Sequence, residues 1–244
     1  MLHNPVVSRE EWLVARIALL RKEKEFTRLC DQLSAERRAL PWVRVEKEYL
    51  FDGPAGKVSL ADLFDGRSQL IIKHFMFGPD WEQGCVGCSF GTDNILGALP
   101  HLQHHDVTFA AVSRAPLDRI EAFKRRMGWH FTWVSSYGSD FNYDYHVSFT
   151  PEQIASGTAY YNYRHGPVPS DEMSGTSVFY KDADGTVFYT YSTYARGNEP
   201  QLAAYALLDL TPKGRDETIN GNLTDWVRHH DRYDTAPQAC CHSS

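Results

Sequence analysis

The chain has 244 residues, 42% of them hydrophobic and 23% charged, with a formal net charge of −6. This is enough apolar material for a self-supporting core in one enlarged domain or two small ones, and the acidic balance excludes capture of nucleic acid or an anionic membrane by bulk electrostatics. No apolar run approaches the roughly 20 residues that span a bilayer, and the start Met1-Leu2-His3-Asn4-Pro5 lacks the basic and apolar regions of a secretory signal, so the expected location is the cytoplasm.

In chain order, Ser8-Arg9-Glu10-Glu11 has the form of a capping box, a hydroxyl residue followed three positions later by Glu. It opens a long helix that Pro41 stops. Trp12, Leu19, Phe26 and Leu33 recur every seven residues with Ala15 and Leu29 between them. That is the pattern of a narrow apolar seam. The seam is expected to build a homodimer, unless a C-terminal segment carrying Leu223, Trp226 and Val227 covers it within one chain.

From Val43 the texture changes to strands. Glu48–Asp52 and Lys57–Ser59 flank Gly53-Pro54-Ala55-Gly56, which predicts a hairpin. Ser59–Phe64 reads as a capped short helix. Gln69–Phe77 is a largely apolar run, too continuous for a strand exposed on one face, which predicts a central strand. A Cys85-Val86-Gly87-Cys88 pair follows a loop, and Ser89–His105 is helical in pattern, with Pro100 expected to interrupt it. Val107–Ser113 and Thr132–Ser136 read as strands, with a helix at Leu117–Gly128 between them. The stretch Tyr137–Tyr163 gives no clear pattern. Ser177–Lys181 and Thr186–Tyr194 around Asp182-Ala183-Asp184-Gly185 predict a second hairpin, and Gln201–Leu208 a short helix. Beyond Pro212 the chain is polar. The alternation of strand and helix, closed by an antiparallel hairpin, predicts an α/β fold with a mixed central sheet and helices on both faces. Residues 1–42 form the N-terminal helix, 43–198 the domain, and 199–244 a C-terminal extension.

The chemistry converges on the cysteine pair. Five cysteines in a reducing compartment are not expected to be structural disulfides, so a close pair points to redox or metal chemistry. Cys85 falls at a strand-to-helix junction, where unpaired backbone N–H groups and the helix dipole favour an anion. The thiolate is the form that attacks disulfides and binds metals. Cys88 lies one turn on, so Cys85 can attack and Cys88 resolve the mixed disulfide. Trp81, four residues before Cys85, is a candidate to shield one side of the dithiol.

Gly84-Cys85-Val86-Gly87-Cys88-Ser89-Phe90 resembles the active-site turn of thioredoxin-like proteins. The whole chain resembles one bacterial family in particular, catalogued as a thioredoxin-like domain of unknown function, whose members are sometimes labelled dithiol–disulfide oxidoreductases or isomerases. The matching segments are Ala39–Val43, His74–Trp81, Ser135–Asn142, Tyr191–Gly197 and Leu208–Arg215. The resemblance implies a thioredoxin-like fold, extended by the long helix and the C-terminal segment. It also implies a residue beside the dithiol just before the last hairpin, where thioredoxins carry a cis-proline. Aligning the hairpin places Thr176 there, and a cis peptide without proline costs about 3 kcal/mol, so Thr176 is expected to be trans and to offer a hydroxyl. Peroxiredoxins carry Pro, Thr or Ser, and Cys in a fixed run. Pro79 and Cys85 are one residue short of it and Glu82 stands at the hydroxyl position, which disfavours peroxidase chemistry.

The leading expectation is a thiol–disulfide oxidoreductase acting through Cys85 and Cys88 without a required cofactor. A second is a copper-binding protein, carrier or enzyme, with Cys85, Cys88 and His165 as ligands: copper-delivering relatives of thioredoxin place a histidine in that general region, and two thiolates with an imidazole suit Cu(I). A third is a non-catalytic thioredoxin-like interaction module. His101 and His105, spaced i, i+4 beside His104, would share a helix face but need a third ligand to hold a metal. Cys240-Cys241-His242 could relay electrons or bind metal, Cys30 reads as a packing residue, and Asp140, Tyr143 and Asp144 are candidates to line a cleft.

Overall fold

The computed structural model describes residues 4–215 and 226–233. It opens with α1 (Arg9–Arg38), where the Ser8 hydroxyl accepts from the Glu11 N–H and the Glu11 carboxylate accepts from the Ser8 N–H, closing the capping box. Then come β1 (Val43–Arg44), β2 (Leu50–Gly53), β3 (Gly56–Ser59), β4 (Gln69–His74), α2 (Val86–Asp93), α3 (Leu99–His104), β5 (Val107–Ser113), α4 (Leu117–Arg126) and β6 (Thr132–Ser135). The later elements are α5 (Phe141–Asp144), α6 (Pro151–Ser156), β7 (Ala159–Tyr161), β8 (Arg164–Gly166), β9 (Gly175–Lys181), β10 (Val187–Tyr194) and α7 (Ala203–Leu208).

Eight strands form one sheet in the order β1-β10-β9-β4-β5-β6-β2-β3, and β7 and β8 form a separate hairpin. β4, β5 and β6 are parallel neighbours, while β9 runs antiparallel to both β4 and β10. The inner order β10-β9-β4-β5, with α2 between β4 and β5, is the thioredoxin-like arrangement, and it places the cysteine pair directly after the central strand. No helix among the described residues is long and apolar enough to cross a membrane.

Successive strand residues face opposite sides of a sheet, and the core divides accordingly. Leu70 and Ile72 of β4 join Ala110, Val112, Val134, Phe141 and Phe179 on one side. Phe75, Phe109, Ala111, Phe123 and Trp133 gather on the other, together with Cys88. A smaller cluster of Phe90, Tyr205 and Val227, with Trp226 against it, fastens the C-terminal segment to α2.

Several expectations shift. The central strand ends at His74 rather than Phe77, because β9 begins opposite it; residues beyond stay tied to the β5 side through Phe75 N–H to Val112 O and Ala115 N–H to Phe77 O. The helix after the dithiol breaks at 94–98, not at Pro100. Pro100 sits in the first turn of α3, where its missing N–H is no loss. The stretch 137–163, which gave no pattern, holds α5, α6 and β7. Trp226 and Val227 pack on Phe90 and Tyr205 instead of covering α1, and Leu223 lies outside the described residues.

Candidate active site

Cys85 is the N-cap of α2, and its Sγ accepts the Cys88 N–H at 3.4 Å. Its own N–H donates to Met76 O, and its carbonyl accepts the Ser89 N–H and Oγ–H. Both cysteines are free; Cys85 is partly exposed and Cys88 is buried. The approach to Cys85 is tightly made. A Cβ on Gly84 would stand 2.6 Å from Phe75 Cε1 and 3.1 Å from Phe123 Cε1, so a residue without a side chain is needed where the loop crosses these rings. Behind the loop, His229 Nε2 lies 3.0 Å from Gly84 O. That nitrogen therefore carries the proton, and the bare Nδ1 accepts from Arg126 Nη2 at 3.2 Å. Arg126 is held in turn by Asp231 through two hydrogen bonds. The described part of the C-terminal extension thus braces the dithiol loop.

The two thiols are driven apart. The hydrogen bond from the Cys88 thiol, followed by backbone N–H groups of Cys88 and Gly87 and the Lys73 charge, overcomes burial and holds Cys85 down to about 6. Cys88 is pushed up, because it donates to Cys85, is buried and faces the neighbouring thiolate. The first sulfur is poised as thiolate near neutral pH and the second stays protonated until it is needed.

The central strand supplies Lys73. It is 5% exposed and two positions from Ile71, hence on the α2 side of the sheet. Burial pulls its pKa down and the two sulfurs push it back up. A buried ammonium is tolerated where an anion faces it, and here the anion is the thiolate. Replacing it should be visible in the chemistry: in Lys73→Met, the pH midpoint for alkylation of Cys85 is expected to rise, though by less than on loss of the Cys88 hydrogen bond, because Lys73 is the smaller influence. An unchanged midpoint would remove Lys73 from the site.

The dithiol opens into a cavity of about 190 Å³ whose walls include Lys73, Met76, Ser174, Asn198 and Leu202. The Tyr161 hydroxyl, at the end of β7, donates to Ser174 O and accepts the Ala195 N–H. It joins the two backbone segments that flank the cavity. Ala195 sits at φ 46°, a left-handed conformation that costs a non-glycine residue roughly 1–2 kcal/mol; it turns the chain out of β10 into the wall containing Asn198.

The structure repositions the supporting residues. Thr176 has a trans peptide, as do all described residues. It is the second residue of β9, not the residue before it, and Ser174 occupies the position beside the dithiol. The Thr176 hydroxyl donates to Asn198 Oδ1 at 2.8 Å and accepts from Gln201 Nε2, so it acts on the cavity through Asn198. Trp81 does not line the cavity. Its indole lies across Gly78, and its carbonyl accepts from Arg119. His165, in β8, is exposed, with Nδ1 3.1 Å from Thr158 O and its ring against Tyr160. Among the described residues, no three His, Cys, Asp or Glu side chains are grouped to hold a metal ion; neither Cys85, Cys88 and His165 nor the exposed His101, His104 and His105 form such a group. Cys240, Cys241 and His242 lie outside the described residues.

Asp140 and Asp144 both pair with Lys47, at 2.8 and 2.7 Å, and Asp144 accepts the Tyr49 hydroxyl. Asp144 lines a separate cleft of about 380 Å³ with Tyr145, Tyr163, Tyr189 and Tyr194. Tyr143 lies under the Arg114 guanidinium, which pairs at 2.8 Å with Glu172, a carboxylate that burial pushes up to about 7.

Lys73, Asn198, Tyr161 and His229 escape sequence reasoning. Lys73 had one available signal, its place in the alternation Gln69, Ile71, Lys73. The others are separated from the dithiol by scores of residues and carry no motif.

A family model described as a bacterial protein of unknown function (DUF899) matches residues 1–233. No curated protein matches by sequence. Solved structures with related shape include the peroxidoxin BcpB of Mycobacterium tuberculosis, at 11% identity and TM-score 0.45 over 67% of this chain and 94% of that one. A PrxQ variant of Xylella fastidiosa gives 13% and 0.40 over 65% and 88%. A Chlorobium tepidum structure assigned as a thiol:disulfide interchange protein DsbE gives 14% and 0.39 over 68% and 97%. The similarity is low throughout, and the fold rests on the strand order given above.

Proposed function

The chain belongs to the bacterial family of unknown function DUF899, so its activity has to be read from its own site, and we propose that it is a thiol–disulfide oxidoreductase working through Cys85 and Cys88. The observation that supports this most is the opposite displacement of the two thiols: an accessible, N-capping Cys85 held down to about 6 and a buried Cys88 pushed up one helical turn away.

In the reducing direction, the Cys85 thiolate attacks one sulfur of a substrate disulfide. A new S–S bond joins Cys85 to the substrate, and the other substrate sulfur leaves as thiolate. As Cys85 loses its negative charge, Cys88 no longer faces an anion and becomes easier to deprotonate. Its thiolate attacks the Cys85 sulfur and releases the second substrate sulfur. The protein then holds a Cys85–Cys88 disulfide, two electrons have passed to the substrate, and an external dithiol must return the pair to the reduced state. Lys73 stabilises whichever sulfur is anionic.

The pH profile of alkylation tests the reading. Reduced protein should react with iodoacetamide at Cys85 with a midpoint near pH 6, against about 8.5 for an ordinary thiol, and oxidation should protect both cysteines together. A midpoint near 8.5, or fast labelling confined to Cys88, sinks the assignment. The same displacement predicts a linkage: because the folded pKa of Cys85 is depressed, its contribution to stability is present above the unfolded value and is lost as pH falls through about 6.

A further inference from the structure

The 30 residues of α1 stand clear of the domain that follows them. None of its side chains is buried, and its seam lies open: Trp12 is 50% exposed, Leu19 52%, Phe26 67%, Leu29 49% and Leu33 47%. At the C-terminal end, the Arg37 guanidinium lies 5.0 Å from the centre of the Tyr191 ring. Trp226 and Val227 are engaged elsewhere, on Phe90 and Tyr205. A helix gains most of its stability in water from packing of an apolar face, and this one has a face without cover.

We propose that the face is covered by α1 of a second copy, wound against it antiparallel. Positions 12, 19, 26 and 33 keep a strict seven-residue step, and on an α-helix such a row drifts about 20° per heptad, which two chains follow by wrapping left-handedly. Ala15, Lys22 and Leu29 fall three residues after successive seam positions and complete the stripe. Charge decides the direction. The first turn is acidic, with Glu10 and Glu11, and the last is basic, with Arg37 and Arg38. Parallel pairing would lay like ends together. Antiparallel pairing lays the acidic end along the partner's basic end and opposes the helix dipoles. It also sends the two globular domains to opposite ends of a rod about 45 Å long.

Sedimentation equilibrium of the full chain at micromolar concentration should give a dimer, and the double substitution Leu19→Glu with Phe26→Glu should give a monomer. The substituted side chains are exposed in one copy, so the Cys85 alkylation rate should stay unchanged and report an intact domain. A photocrosslinking amino acid at position 15, on the stripe itself, should join the partner near residues 26–34. Crosslinks near residues 9–16 instead would overturn the antiparallel arrangement. A monomeric full-length chain would overturn the dimer, as would a double variant that stays dimeric. So would a monomer that sediments with anionic lipid vesicles, since a bilayer would then be what covers the seam.

Discussion

Cys85→Ser is expected to abolish disulfide reduction, while Cys88→Ser stops at the first step and accumulates a mixed disulfide between Cys85 and its substrate. The asymmetry follows from position. Cys85 is the partly exposed N-cap, accepting an amide N–H and facing the 190 Å³ cavity, whereas Cys88 is buried within the first turn of α2. Serine in place of Cys85 keeps an N-cap acceptor, so the fold should persist. What disappears is the thiolate, and no other described cysteine adjoins the cavity to replace it. Serine in place of Cys88 removes the hydrogen bond that is the largest influence lowering Cys85, so the Cys85 midpoint should also rise in that variant, although attack still proceeds at higher pH. The measurement is non-reducing electrophoresis and intact-mass analysis of each variant after incubation with a disulfide substrate. Equal adduct formation in both variants, or adducts confined to Cys85→Ser, would reverse the roles. Disulfide reduction that persists in both would remove the dithiol from the chemistry and favour an interaction module.

Trp133→Ala is expected to cost about 3–5 kcal/mol, a large part of the roughly 5–15 kcal/mol that holds a domain together. Trp133 is fully buried. Its ring lies 4.5 Å from Phe75 and about 6 Å from Phe123, Trp129 and Phe131, centre to centre. Its indole N–H donates to Ser113 Oγ, whose own proton goes to Phe75 O. Phe75 is the ring against which Gly84 closes, so this cluster is also the floor of the loop that delivers Cys85. Urea unfolding followed by circular dichroism measures the loss. Trp133→Phe keeps most of the apolar volume and forfeits the N–H bond, so it should cost clearly less, about 1–2 kcal/mol. The dithiol should respond as well, with a broader or higher alkylation midpoint in Trp133→Ala. A loss under about 1 kcal/mol would mean that the cluster neither anchors the sheet nor supports the loop.

Features whose causes are local were legible in the chain before it folded. The Ser8–Glu11 capping box, both hairpins, the strand at Val107–Ser113 and the helix from Leu117 depend on hydrogen bonds and periodicities within a few residues, and they are where the pattern placed them. The Cys85–Cys88 relation is likewise a single helical turn. What surrounds the dithiol was decided by pairing across the sheet. Lys73 stands opposite Thr176 because β4 and β9 register there, and that register, which no turn or spacing encodes, moved Thr176 into the strand and gave the position beside the dithiol to Ser174. The apolar run around Lys73 hid a charge that only the alternation of strand faces turns toward the sulfurs. His229 reaches the carbonyl of Gly84 from 145 residues away, and Tyr161 joins Ser174 to Ala195 from a hairpin in a stretch without readable period. Contacts of that kind depend on how the whole chain packs, since each group finds its partner only after the sheet has closed around it.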